Sequence, residues 1–165
     1  MPWKHALRDL SLVVVTLLFW RADAALRHAG GLLPVLVAVI AGSLAAFSAY
    51  IVHEWGHFLA ARAGGSVVRL PASAAEVFLF NFNSDRNSRE QFLIMSCGGF
   101  LASALVIAFF LAVLPFPSLA SLVAFALTLA GVIATAVLEI PPFVRVWQGA
   151  PLPRGGAYAS DATQA

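Results

Sequence analysis

The chain has 165 residues, 61% of them apolar and only 11% charged, with ten Lys and Arg against eight Asp and Glu for a net charge of +2. With a mean hydropathy of +0.87 it lacks the polar cover of a soluble domain, which at this size still leaves about 30% of its surface in water. A disordered chain and a nucleic-acid binder with a basic face are excluded on the same grounds. What is left is a multi-pass integral membrane protein, all-α in its spanning part, whose environment is the lipid bilayer and not nucleic acid. Cys97 is the single cysteine, so no intrachain disulfide can form.

Residues 1–30 contain an apolar run of only 11 residues, 10–20, about 16 Å of helix and too short to span unaided. It reads as an interfacial or short, tilted spanning helix anchored by Trp3, Trp20, Arg21 and Arg27. A signal peptide with an Ala22-Asp23-Ala24 cleavage site is the other reading, though Arg21 and Asp23 crowd that site. A core of residues 31–145 follows, with spans at about 31–62, 92–114 and 118–140. Pro34 sits near the start of the first span, where a missing N–H does no harm. Gly64-Gly65 marks its stop. The link at residues 115–117 is short enough to force an antiparallel hairpin between the second and third spans.

Residues 63–91 form the polar segment. Phe78, Phe80 and Phe82 alternate with Leu79, Asn81 and Asn83, a period of two, and residues 67–70 offer a partner strand. A small β-hairpin at the membrane face is expected there. Residues 146–165, rich in Pro, Gly and Ala, read as a flexible tail. If the N-terminal run spans, eight basic residues fall on one side and two on the other. That places the long loop and the C-terminus in the cytoplasm. If it lies flat, the count is six against four and decides little.

The first span contains His53-Glu54-Trp55-Gly56-His57. At this composition about 0.002 such H-E-x-x-H segments would arise by chance. On a helix, positions i and i+4 share a face, so both imidazoles can bind one Zn2+ ion. Glu54 lies beside that face, placed to take a proton from an attacking water and return it to the leaving amine. The motif lies roughly 7 Å inside Arg62. Three ionisable groups at that depth are costly unless they pair with one another or with an ion.

The stretch VHEWGHFLAARAGG, residues 52–65, resembles the H-E-x-G-H-x-x-x-A segment of the site-2 protease family, the intramembrane zinc metalloproteases. The order of elements is similar as well: a motif-bearing span, a β-containing loop, then two further spans. The resemblance implies hydrolysis of a peptide bond in or near the transmembrane segment of a membrane-protein substrate. It also implies a third metal ligand, usually an Asp in a Leu-Asp-Gly motif on the third core helix. This chain reads Leu138-Glu139-Ile140 there, followed by Pro141-Pro142, which would open the helix and free polar space around Glu139. Glu76, nineteen residues after His57, is the rival third ligand, although its surroundings read as a strand. In the middle span the family's Gly-Pro-x-x-Asn pattern becomes Gly99-Phe100-Leu101-Ala102-Ser103. Ser103 stands where a substrate-binding Asn would be, and Gly98-Gly99 would serve close helix approach. The Phe78, Phe80 and Phe82 strand either offers an edge to an extended substrate or anchors the loop in the interface. The alternative to a peptidase is an inactive membrane adaptor or receptor that keeps the fold, with or without the metal. A zinc carrier is a third idea, without a chain of ligands to support transport.

Overall fold

A computed structural model describes residues 2–71, 80–116, 118–154 and 158–159. Its elements are α1 (Pro2–Leu26), α2 (Leu32–Ala63), β1 (Val68–Arg69), β2 (Asn81–Asn83), α3 (Arg89–Val113), α4 (Leu119–Trp147) and β3 (Tyr158–Ala159). α2, α3 and α4 are long and apolar enough to cross a membrane. Their outward faces carry exposed Leu, Val, Ile and Phe such as Leu36, Leu101, Leu105, Phe109 and Ile133, as a lipid environment requires.

Local chemistry sets the ends of these helices. Gly31, at φ 95°, turns the chain into α2 in a conformation a side chain would resist. The other end of α2 is closed by Gly64, whose N–H returns to the Ala60 carbonyl, and by Gly65 at φ 69°. The Gln91 amide covers both glycine carbonyls, at 3.2 and 3.0 Å, so these orphan acceptors are satisfied. Ser88 and Gln91 form a reciprocal capping box at the start of α3.

α2 is the central helix. Its contacts with α3 pair His57 with Met95 and His53 with Gly99 and Ser103, so the two helices run antiparallel. α4 runs parallel to α2, from Ala120 beside Gly42 to Glu139 beside His53. A buried stripe of small residues, Ala38, Ala41, Gly42, Ala45 and Ala49, faces these neighbours. A Cβ on Gly42 would sit 2.6 Å from the Ala120 carbonyl oxygen. Close approach of this kind is what packs helices where no hydrophobic force distinguishes helix from lipid.

The N-terminal helix departs from the expected 11-residue run: α1 has 25 residues. It runs antiparallel beside α2, with Asp9 at the level of Trp55, Thr16 at Ser48, and Trp20 against the alanine stripe. Trp20 is therefore partly buried against α2. The longer helix follows from tertiary contact. Asp9 is buried, accepting from the Trp55 indole N–H at 2.8 Å and from Arg8 at 2.7 Å, so its charge is matched where propensity alone would end the helix. Replacing Trp55 by Phe keeps the ring but removes that N–H. It is expected to destabilise the fold by about 1–2 kcal/mol, read as a lowered melting temperature in detergent.

The third core helix also exceeds its expected end. α4 continues through Pro141 and Pro142 to Trp147. The two prolines do deprive the Val137 and Leu138 carbonyls of their i+4 donors. The last turns are held by packing: Val146 is 1% exposed within a cluster containing Phe92 and Met95, and Phe143 meets Phe100 edge-on. Burial of that final turn outweighs the lost hydrogen bonds.

The expected hairpin is present in short form, with β1 antiparallel to β2 (Val68 opposite Phe82). The segment read as a mobile tail adds a third strand. β3 lies parallel to β2, with Tyr158 opposite Phe82. The sheet order is β1-β2-β3, so β2 is paired on both sides.

Candidate metal centre

The sequence spacing that put two histidines on one helical face is realised on α2. His53 and His57 are both buried, and their Nε2 atoms are 3.1 Å apart. α4 brings Glu139 to the same point, with Oε1 3.2 Å from His53 Nε2 and Oε2 3.3 Å from His57 Nε2. The three side chains form a group that could hold a metal ion. Of the two acidic residues considered for the third position, Glu139 is in place. Glu76 and Phe78 lie outside the described residues.

The other nitrogen of each ring reveals what the site expects. His53 Nδ1 lies 3.1 Å from the Gly99 carbonyl oxygen and 2.9 Å from Ser103 Oγ. His57 Nδ1 lies 2.9 Å from the Met95 carbonyl oxygen. A carbonyl only accepts, so the ring proton belongs on Nδ1 and the Nε2 lone pair is left free. Two such lone pairs and a carboxylate then converge on one point, an arrangement relieved by a metal ion between them or by a proton on one Nε2. Glu139 Oε2 is buried without a hydrogen-bond donor, as an oxygen kept for an ion would be. Ligands at 2.0–2.1 Å around a tetrahedral ion stand about 3.3 Å from one another. The separations of 3.1–3.3 Å here, each histidine facing a different oxygen of the Glu139 carboxylate, are close to that edge. The donor set fits a divalent metal ion.

Glycines make this proximity possible. A Cβ on Gly99 would fall 2.1 Å from His57 Nε2, inside the imidazole itself. Gly56 and Gly98 interlock a turn away, each with its missing Cβ aimed at the other's carbonyl oxygen at 2.5–2.6 Å. The glycine pair of the middle span therefore serves helix approach, as expected.

Glu54 is half-buried and shares a small cavity with His57 and Glu139. The cavity, about 60 Å³, is walled by Phe80, Phe82, Met95, Ser96 and Tyr158, enough space for a few waters. Tyr50, one turn before Glu54, lies close enough to interact with its carboxylate. A second, larger cavity of about 300 Å³ reaches His53 between α2, α3 and α4, lined by Ala46, Ala49, Ser103, Thr128 and Gly131 among others.

Other residues expected at the site stand differently. Ser103 is bonded to the rear nitrogen of His53, so it orients a ligand and does not face the side where Nε2 and the carboxylate converge. Phe80 and Phe82 are 6% and 1% exposed and pack on Phe58 and Phe92. They are neither an open edge nor lipid anchors; the tail strand supplies the pairing that buries their strand. Tyr158 was not singled out from the sequence, because nothing in a Gly- and Ala-rich tail signals a residue returning to a site over a hundred positions away. Its hydroxyl is pushed up to about 12, chiefly by burial and further by the Glu139 and Glu54 charges, so it stays protonated at neutral pH.

No protein-family model, no curated protein and no solved structure matches this chain.

Proposed function

We propose that the chain is an intramembrane zinc endopeptidase of the site-2 protease type, acting on a peptide bond in or near a membrane protein's transmembrane segment. The observation that carries this reading is the convergence of His53, His57 and Glu139 at mutual distances of 3.1–3.3 Å, with Glu54 on the adjoining cavity. Two histidines one turn apart with a carboxylate from another helix are a zinc donor set that leaves a fourth position open. When bound, the ion supplies Lewis acidity, polarising the scissile carbonyl and making water acidic enough to attack near pH 7.

The chain's own residues do the rest. Met95 and Gly99 carbonyls fix both imidazoles in the ligand tautomer. Glu54 takes a proton from the attacking water as its oxygen bonds to the carbonyl carbon. It gives that proton to the amine nitrogen as the C–N bond breaks.

The test is Glu54→Gln in the full chain. Zinc content should stay at one per chain, while cleavage of a fluorogenic transmembrane peptide falls by about 10²–10⁴-fold. Cleavage unchanged by that substitution would rule out this proton carrier. A wild-type protein that binds zinc without cleaving would instead favour the adaptor or receptor reading.

A further inference from the structure

Hydrolysis of an amide places negative charge on the carbonyl oxygen, and a preorganised hydrogen-bond donor at that position commonly contributes a large share of catalysis. The middle-span serine does not fill the role, since Ser103 Oγ lies behind His53 at 2.9 Å from Nδ1. Ser96, which does line the cavity, spends its hydroxyl proton on its own helix, donating to the Phe92 carbonyl at 3.0 Å. The remaining described walls of the cavity are the imidazole, the two carboxylates, apolar Met95, Phe80 and Phe82, and the phenol of Tyr158.

The structure assigns Tyr158 as a further catalytic residue, its O–H donating to the scissile carbonyl oxygen as that oxygen becomes negative. The assignment rests on the peptidase reading above. It stands on how deliberately the tail is returned to the site. Ser84 Oγ donates to the Pro153 carbonyl at 2.6 Å, and Arg154 pairs with Asp85 at 2.8 Å. Leu152 packs on the cluster beneath the sheet. β3 then fixes Tyr158 opposite Phe82, and its ring rests on Phe92 with centroids 5.8 Å apart. These contacts bring an O–H donor to the cavity shared by Glu54, His57 and Glu139, on a strand whose register is set by the sheet. Water keeps its proton balance through Glu54; the phenol forms a hydrogen bond and transfers nothing.

The experiment compares the wild type and Tyr158→Phe as zinc-loaded full chains in detergent, with a fluorogenic Leu/Ala transmembrane peptide. The substitution keeps the ring and its packing. It should lower kcat about 10²-fold, with KM within twofold and zinc content unchanged. Two inhibitors supply a readout apart from turnover. Affinity for a phosphinic Ala-Leu peptide, which mimics the charged tetrahedral oxygen, should fall by a similar factor. Affinity for the matching reduced-amide peptide, which has no such oxygen, should not move. Unchanged kcat overturns the assignment, as does an equal loss of both inhibitor affinities, which would mark Tyr158 as packing only. A rise in kcat also overturns it, because the tail would then be covering the site. Failure of the zinc-loaded wild type to cleave overturns the peptidase reading and this assignment together, whereas the other results leave that reading standing.

Discussion

Glu139→Ala should strip the metal from the purified chain and reduce peptide cleavage to background. Its carboxylate is the one ligand supplied by α4, and its two oxygens reach 3.2 Å from His53 and 3.3 Å from His57. Truncation leaves two neutral imidazoles, which hold a divalent ion far less tightly. Loss of an outer-shell partner alone commonly costs 10–100-fold in affinity, so loss of a ligand should exceed about 100-fold. Metal analysis after dialysis against a weak chelator measures it. Ala is a good helix former, and α4 should persist, which circular dichroism checks. Glu139→Asp should recover part of the affinity, since the shorter side chain keeps the charge but retreats by one methylene. The pattern differs from Glu54→Gln, which should keep the ion and lose the rate. The two substitutions thus separate holding the ion from moving the proton.

Gly99→Ala should be nearly as damaging, although Gly99 contributes no ligand atom. The added methyl would lie 2.1 Å from His57 Nε2 and 2.2 Å from Cε1, so either the ring swings away or α3 separates from α2. The first outcome breaks the Met95 anchor of His57, and the second breaks the Gly99 anchor of His53 as well. Zinc content should drop to a small fraction of wild type, and the strain should cost about 1–3 kcal/mol of stability. Gly131→Ala is the matched control, because a Cβ there meets nothing within 4 Å. It should bind zinc normally and melt at or slightly above the wild-type temperature. Equal zinc content in the two variants would show that the α2–α3 approach does not govern the site.

Much of this architecture was legible in the chain itself. Long charge-free runs identify α2, α3 and α4, since a single segment in lipid satisfies its own backbone only as a helix. The i, i+4 spacing of His53 and His57 fixes their common face. The ends were harder. α1 runs well past its apolar stretch because Asp9 finds the Trp55 indole, and α4 passes two prolines because Val146 has a buried place to go; both are tertiary effects with no local signal. Glu139 was readable as a scarce acid at the end of a span, but its position beside both histidines depends on how α4 lies along α2. Ser103 could be placed near the site but not on the rear side of the imidazole, since a sequence offset carries no direction within the bundle. Tyr158 was invisible for the same reason on a larger scale: strand pairing between distant segments leaves little trace in composition.

The two carbonyls that hold the imidazoles, Met95 and Gly99, belong to the main chain of α3. Any residue at position 95 that keeps the helix would present the same oxygen, and position 99 need only lack a side chain. Many α3 side chains can therefore change without loosening either carbonyl anchor, so long as Ser103 keeps its hydrogen bond to His53 Nδ1. What the site needs from this helix is its distance from α2, set by Gly56, Gly98 and Gly99. A search guided by side-chain motifs will underrate such sites, whereas one that asks where small residues let a helix approach a histidine pair will find them.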